Sequence, residues 1–259
     1  MIVTIHQPEH LPWLGFFDKM RQADICVLLD TTQFAKDDFQ NRNRIKAEEG
    51  PAWLTVPVFK KGAAHQLIRE VKICNDRNWE NRCWSKMFLS YRDAPFFQNY
   101  KEFFLETYNR EWSDLLALND PIIRYLRDQL GLKTELLLAS ELGVYERGGT
   151  MVNLEICRRL GAHTYLSGRN GKAYLDENVF AEHDIEVRYQ DFHHPVYPQL
   201  WGNFHPFMAA VDLLFNCGNA SLEIIAKANT PLVTQETLSG PDNPHLKESV
   251  NGAQKASFS

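Results

Sequence analysis

The sequence predicts an α/β fold: a three-layer, Rossmann-like, mainly parallel sheet with a helical, aromatic-rich insertion at about residues 75–131. From residue 134 onward, short apolar runs alternate with segments of helical period, which is typical of βαβ units. Within the insertion, by contrast, Phe, Tyr and Trp are dense and apolar residues recur at helical spacing. We expect one domain over residues 1–234 and a polar, loosely held tail over residues 235–259.

The elements before the insertion are short. The sequence predicts strands at residues 1–5, 23–29 and 67–73, and an apolar stretch at residues 53–58. A helix is predicted at about residues 15–21, and residues 31–46 are polar and predict no element.

Helices fill the insertion. An apolar residue recurs every fourth position from Trp79 to Tyr91, which predicts an amphipathic helix. Cys83 lies on this apolar stripe, so the pattern favours a core residue over a nucleophile. Two further helices are predicted at about residues 97–111 and 113–130.

Strands and helices alternate after the insertion. The predicted strands are residues 135–139, 163–166 and 185–189, and the predicted helices are residues 152–160, 176–182, 207–216 and 221–228. Gly161 and Gly218 stand where two of these helices end.

Composition excludes several classes of protein. The formal net charge is −5 and no Lys/Arg stripe is present, so we expect no DNA partner. No apolar run is long enough to span a bilayer, and no charged n-region of a signal peptide is evident, so we expect no membrane association. The five cysteines lack metal-type spacing and predict reduced thiols in a cytoplasmic protein without a metal site.

The first strand leads into a loop with two imidazoles. Ligands of open α/β sheets collect beyond the carboxyl ends of the strands, so His6, His10, Gln7 and Trp13 are candidate site residues. A histidine carries protons near neutral pH, which makes His6 the first candidate for a general base. The structural alternatives are a His6 that caps the loop backbone and a Trp13 in the core. Pro12 disfavours the helical turn on which His6 and His10 would face each other.

Polar residues also follow the second strand. Asp30 ends that strand and could orient a histidine or hold a substrate amine; a turn aspartate is the alternative. Gln33 follows it. Asn41, Arg42 and Asn43 offer amides and a forked guanidinium that suit a carboxylate, a phosphate or a sugar, although a solvated turn has the same composition.

Two later loops are predicted to reach the same rim. Ser167, Gly168 and Lys172 follow a strand and could hold an anion at the start of a helix, with an ordinary βα turn as the alternative. His194 and Gln199 lie in the loop after the last strand, whose prolines could equally serve only to end the sheet.

A series of motifs resembles the WbqC-like protein family over roughly residues 2–218. The matching blocks are His6-Gln7-Pro8, Pro12-Trp13-Leu14-Gly15-Phe16-Phe17-Asp18-Lys19, Asp30 with Gln33-Phe34, Gln40-Asn41-Arg42-Asn43, Trp53-Leu54-Thr55-Val56-Pro57-Val58, Tyr91 with Ala94-Pro95-Phe96-Phe97, Tyr165-Leu166-Ser167-Gly168, His194-Pro195-Val196-Tyr197-Pro198-Gln199 and Asp212-Leu213-Leu214-Phe215-Asn216. The chain departs from the family pattern at His10, where a tyrosine is common, and at Cys83, where a histidine is expected.

The resemblance implies a function in biosynthesis. Family members occur among genes for bacterial surface polysaccharides, and the suggested role is transfer of an acyl group or an amino acid such as glycine to an amino sugar. We therefore expect an acyl- or aminoacyl-transferase with His6 as base, oriented by Asp30. It would act on a small molecule such as an amino sugar nucleotide, with an activated acyl donor, an acyl-carrier protein or an aminoacyl-tRNA as the second substrate. The alternatives are a nucleotidyltransferase-like enzyme that binds a nucleotide, and a non-catalytic subunit of a biosynthetic complex.

Overall fold

Five parallel strands form the central sheet, as the alternating pattern predicts. The computed structural model describes residues 1–35, 38–59, 66–76, 78–144 and 148–227. The strands of the sheet are β1 (Ile2–His6), β2 (Ile25–Leu28), β5 (Glu135–Leu138), β6 (Thr164–Ser167) and β7 (Glu186–Tyr189). Their order is β5-β2-β1-β6-β7, so β1 is the middle strand, with Val3 opposite both Ile25 and Tyr165.

The path of the chain creates a crevice at the carboxyl ends of the strands. From β1 the chain proceeds outward to β2 and β5, then returns across the sheet to β6 and β7 on the other side. The strand order therefore reverses between β1 and β6. In open α/β sheets this switch point is where ligands bind.

Helices cover both faces of the sheet. They are α1 (Leu14–Arg21), α2 (Trp79–Tyr91), α3 (Phe97–Tyr108), α4 (Leu115–Gln129), α5 (Gly149–Leu160), α6 (Glu177–Ala181), α7 (Ala210–Cys217) and α8 (Ser221–Lys227). The predictions from residues 79 to 130 are thus confirmed as three helices. The predicted tail at residues 235–259 lies outside the described residues.

Alternate residues of β2 bury against different layers. Cys26 and Leu28 belong to the larger apolar cluster, with helices α1 to α4 and α7. Ile25 and Val27 face the smaller cluster, with α5 and α6. Side chains of a strand alternate between the two faces of its sheet, so this division confirms the three-layer arrangement.

An antiparallel hairpin interrupts the α/β pattern between β2 and the insertion. It pairs β3 (Arg42–Ala47) with β4 (Gly50–Thr55). The first of these strands was missed because it carries three cationic side chains, while the apolar alternation that marks a strand is confined to the face with Asn43 and Ile45.

The strand predicted at residues 67–73 is wrong. Its centre is a 3-10 helix, Ile68–Glu70. Single bridges join Leu67 to Gln33, Ile73 to Val58 and Lys72 to Asp114. The segment pairs with three different partners in turn, so no continuous ladder forms.

Helix α1 depends on a glycine in its first turn. The indole of Trp13 folds back over Gly15, where an added Cβ would stand 2.3 Å from two ring atoms. The indole also contacts the rings of Phe192 and Phe207, at centroid distances of 5.5 and 6.0 Å. At the other side of α1, the Gln190 amide donates to the carbonyl of Gly15 at 2.9 Å and ties the helix to the end of β7.

A Gly15→Ala variant tests this packing. The new methyl group has to displace an indole that is wedged between two phenyl rings, so we expect a loss of about 1–3 kcal/mol in the free energy of unfolding. The matched control is Gly168→Ala, where φ is −69° and a Cβ would meet its nearest atom at 4.0 Å; we expect a change within about 0.5 kcal/mol. Chemical denaturation measures both, and equal losses would contradict the packing.

Candidate active site

His6 stands at the end of β1, beside the switch point. Its ring Nδ1 lies 3.0 Å from the carbonyl of Gln7 and donates to it. The neutral tautomer fixed by this bond carries its lone pair on Nε2, which has no hydrogen-bond partner among the described residues. The Phe16 ring meets the imidazole edge-on at 4.7 Å, and 26% of the His6 side chain remains exposed. The ring is thus held in position with one nitrogen available.

Lys19 brings a cation to the same place. It is nearly buried on α1, and its Nζ donates to the carbonyl of Ile5 at 2.9 Å. On the other side, Nζ lies 4.0 Å from the position that a Cβ of Gly168 would occupy. The ammonium therefore sits between the ends of β1 and β6.

Glu9 completes the cluster. Its Oε1 lies 3.7 Å from Nδ1 of His6, and its Oε2 is buried with no hydrogen-bond partner in the described parts of the chain. A buried carboxylate oxygen without a donor is destabilising. This oxygen is closed to solvent, and Oδ2 of Asp30 and Oδ1 of Asn41 are in the same state.

Burial shifts the protonation of all three groups. It lowers the pKa of His6 well below its usual value, and the nearby charge of Lys19 lowers it further. It raises the pKa of Glu9 to about 8, an effect that Asp38 increases and Lys19 opposes. It lowers the pKa of Lys19 to about 8. At neutral pH the imidazole is therefore an unprotonated base, and two neighbouring groups titrate close to the working range.

His10 does not share this environment. It is fully buried, its Nδ1 donates to Oδ1 of Asn119 at 3.0 Å, and its Nε2 accepts from the Tyr108 hydroxyl at 3.1 Å. Burial lowers its pKa to about 4. Because both ring nitrogens are engaged away from solvent, the predicted catalytic role of His10 is replaced by a structural one.

Asp30 is on the predicted rim but holds a different partner. It is fully buried, and its Oδ1 accepts from the backbone N–H of Ser140 at 2.9 Å, which links the ends of β2 and β5. The group that fixes the His6 ring is the carbonyl of Gln7. The orienting role predicted for Asp30 therefore falls to the loop backbone. The predicted Gln33 is exposed and bridges to Leu67.

The side-chain amides at the start of the hairpin bind backbone carbonyls. The Asn41 amide donates to the carbonyl of Val56 at 2.8 Å, and that of Asn43 donates to Leu11 at 2.7 Å. Gln7 accepts from the Gln40 amide. Asn43 is fully buried, so the predicted ligand contact is instead a tie between the hairpin and the histidine loop.

Arg42 points along the outer face of the hairpin, with its guanidinium 4.4 Å from the centre of the Trp53 ring.

The loop after β6 offers few hydrogen-bond donors to a ligand. Ser167 is buried and donates to the carbonyl of Gly168, and the close approach of Gly171 leaves no room around its hydroxyl. The segment Arg169–Ala173 is a 3-10 helix, so the predicted anion site at the start of an α-helix does not form. Lys172 is exposed and lies over the Tyr189 ring.

Hydrogen bonds within the loop after β7 and to α7 fix the side chains of this loop. His194 Nε2 accepts from the backbone N–H of Phe207 at 3.0 Å, and its Nδ1 donates to Pro195 at 2.8 Å. The Gln199 amide donates to the buried carboxylate of Asp212 at 2.6 Å. These two predicted site residues, like Trp13, therefore serve packing and loop geometry.

Sequence reasoning missed Glu9 and Lys19 as site residues, and Asp212 as the centre of a buried network. The Asp212 carboxylate accepts from the hydroxyls of Tyr91 and Tyr197, at 2.7 and 2.8 Å. All of these residues except Glu9 stand inside the family-like blocks, which is the signal that could have identified them. For Glu9, the sequence gives no indication of a site role beyond its position between the two histidines.

Two features are absent from the described residues. The described residues hold no group of three His, Cys, Asp or Glu side chains arranged to bind a metal ion. In the same part of the chain, no helix has the length and apolar character needed to cross a membrane.

Comparison with known proteins gives a family and one relative. A model of the WbqC-like protein family matches residues 7–224. The chain is 35% identical over 218 residues to "Uncharacterized protein Rv1507c" of Mycobacterium tuberculosis (strain ATCC 25618 / H37Rv), an alignment that covers 83% of this chain and 94% of the relative. No solved structure matches.

The buried His10 predicts a pH dependence of stability. Its folded pKa of about 4 lies below that of the unfolded chain, so the unfolded state takes up a proton as the pH falls below about 6.5 while the folded state does not. Stability from His10 is therefore complete above pH 6.5 and is lost toward pH 4. We expect the destabilisation caused by His10→Gln to shrink by as much as about 1.4 kcal/mol per pH unit in this window. Urea unfolding at several pH values measures it, and a constant destabilisation would contradict the assignment.

Proposed function

Because the chain belongs to the WbqC-like protein family, we propose that it is an acyl- or aminoacyl-transferase of the glycine-transfer type. The acceptor is the amine of an amino sugar nucleotide or a similar small metabolite, in the biosynthesis of a bacterial surface polysaccharide such as O-antigen. The observation that carries this proposal is the neutral His6 imidazole at the switch point, with Nε2 available and the Lys19 ammonium beside it.

His6 acts as the general base. The acceptor amine attacks the carbonyl carbon of an activated acyl group, so that a carbon–nitrogen bond forms and the bond to the donor's oxygen or sulfur breaks. His6 Nε2 takes the proton that the amine loses and returns it to the departing oxygen or sulfur. The lowered pKa keeps the imidazole unprotonated at neutral pH, which leaves the Nε2 lone pair available but also makes the ring a weaker proton acceptor.

Glu9 and Lys19 stand beside the base in different charge states. With a pKa of about 8 the Glu9 carboxyl, 3.7 Å from the His6 ring, is mainly a neutral acid at neutral pH. The Lys19 ammonium favours the negative charge that develops on the carbonyl oxygen. Gly168 lies next to this ammonium on the β6 side.

The proposed setting is the cytoplasm, where sugar nucleotides and activated acyl donors are made. The five cysteines are free thiols, as a reducing compartment requires.

Replacement of the base tests the mechanism. In His6→Asn the shorter amide can still donate to the Gln7 carbonyl but cannot accept a proton, so we expect the acylated product to fall by about 100-fold or more. The measurement is mass spectrometry of a strain that lacks its own copy of the gene and carries the variant. The free-amine precursor should accumulate there, lighter than the product by the mass of the acyl group less one hydrogen.

The matched control is His183→Asn, which alters an exposed imidazole after α6 and should leave the product at its wild-type level. Full product formation by a folded His6→Asn variant would refute the catalytic role and favour a binding subunit.

A further inference from the structure

The outer face of the β3–β4 hairpin carries an exposed aromatic platform. We call the group Phe39, Arg42, Arg44, Trp53 and Lys86 the Trp53 face. Trp53 is 39% exposed, and its ring lies 6.2 Å from that of Phe39. The indole is therefore partly open to solvent, and because the Arg42 guanidinium lies 4.4 Å over its ring, ring and guanidinium together form the platform on which a planar ligand could be stacked.

Cations surround this platform. Arg44 lies directly opposite Trp53 in the hairpin register, with its guanidinium 5.6 Å from the ring centre. From α2, the Lys86 ammonium donates to the carbonyl of Trp53 at 2.9 Å. Arg82, one turn earlier, acts with Lys86 on the nearby Cys83 thiol and helps to limit the rise of its pKa that burial causes.

The local charge runs against that of the whole chain. The protein carries a formal net charge of −5, yet the Trp53 face presents three cationic side chains and Arg82 adjoins it. The carboxylates closest in sequence are Asp38, which accepts from the backbone N–H of Phe39, Glu48 and Glu49 at the hairpin turn, and Glu80 at the start of α2. The two strands themselves carry cations and no carboxylate, so the positive charge is concentrated on the strands and the negative charge at their ends.

The Trp53 face is continuous with the candidate active site. The Phe39 carbonyl accepts from the backbone N–H of His10 at 3.0 Å. The next residue, Gln40, donates to Gln7, whose carbonyl fixes the His6 ring. A ligand that stacks on Trp53 can therefore extend toward the reacting centre.

We propose that the Trp53 face binds the single-stranded end of an RNA that carries the acyl group as an ester. This inference rests on the proposed function and assigns its donor. Bases stack on the Arg42–Trp53 pair and on Phe39, while Arg44 and Lys86 pair with phosphates, since guanidinium planes and aromatic rings both hold the bases of single strands. An exposed aromatic flanked by cations suits alternating bases and phosphates along a strand, whereas a free nucleotide needs an enclosing pocket.

Fluorescence anisotropy with a labelled single-stranded RNA of about 12 nucleotides tests this. We expect Trp53→Ala to weaken binding about tenfold, since one stacked base is lost. Arg44→Gln should reduce the slope of log affinity against log salt concentration by about 0.7, the value for one lost phosphate contact. Circular dichroism confirms that both variants fold.

The matched control is Arg110→Gln. Arg110 lies 4.2 Å from the ring of Trp112, a similar pair whose indole is only 8% exposed, so RNA affinity should not change. Absence of binding, equal binding by Trp53→Ala and wild type, or displacement by free ADP as effectively as by unlabelled RNA would overturn the proposal.

The two proposals fail separately. RNA affinity should survive His6→Asn. Loss of product in that variant without any RNA binding by the wild type would leave the transferase with a different donor. If RNA binds but His6→Asn keeps full activity, the Trp53 face stands as an RNA-binding surface and the role of His6 as the general base is refuted.

Discussion

The side chain of Asn119 connects the three parts of the chain around the candidate active site, which are α4, the loop after β1 and the start of the hairpin. Its Oδ1 accepts from the His10 ring, and its amide donates to the carbonyl of Gln40 at 2.8 Å. One buried residue of α4 thereby joins the loop after β1 to the segment that begins the hairpin. Such a group is strongly constrained, because each buried polar atom that loses its partner is destabilising. The position of His6 relative to the Trp53 face follows from this junction.

The sequence predicted the sheet well because a buried parallel strand carries its signal locally. The runs at β1, β2, β5 and β6 are short and mainly apolar, β7 alternates charged with buried apolar residues, and their order along the chain implies the parallel arrangement. The hairpin was not predicted because Arg42, Arg44 and Lys46 interrupt the apolar pattern of its first strand. Lys46 is nonetheless buried, with its ammonium bonded to backbone carbonyls near residue 203.

The site was predicted less completely than the fold, for a physical reason. The position of His6 at the rim follows from its place after a strand. The roles of His10 and Asp30, however, depend on Asn119 and Ser140, which are more than 100 residues away in the chain. A local pattern cannot show whether a polar side chain meets such a distant partner. Lys19 is hidden in the same way, since a lysine near the end of a helix is ordinarily a solvated residue.

The central position of β1 also bears on how the protein is made. Strand β1 leaves the ribosome before the other strands of the sheet, yet Ile2 and Thr4 lie opposite Thr164 and Leu166, so one of its two neighbours is synthesised much later. Until then the middle strand of the mature sheet is an unprotected edge that could pair with another chain. Contacts of such long sequence separation form slowly. We therefore expect a nascent or truncated chain that ends before β6 to aggregate or to recruit a chaperone.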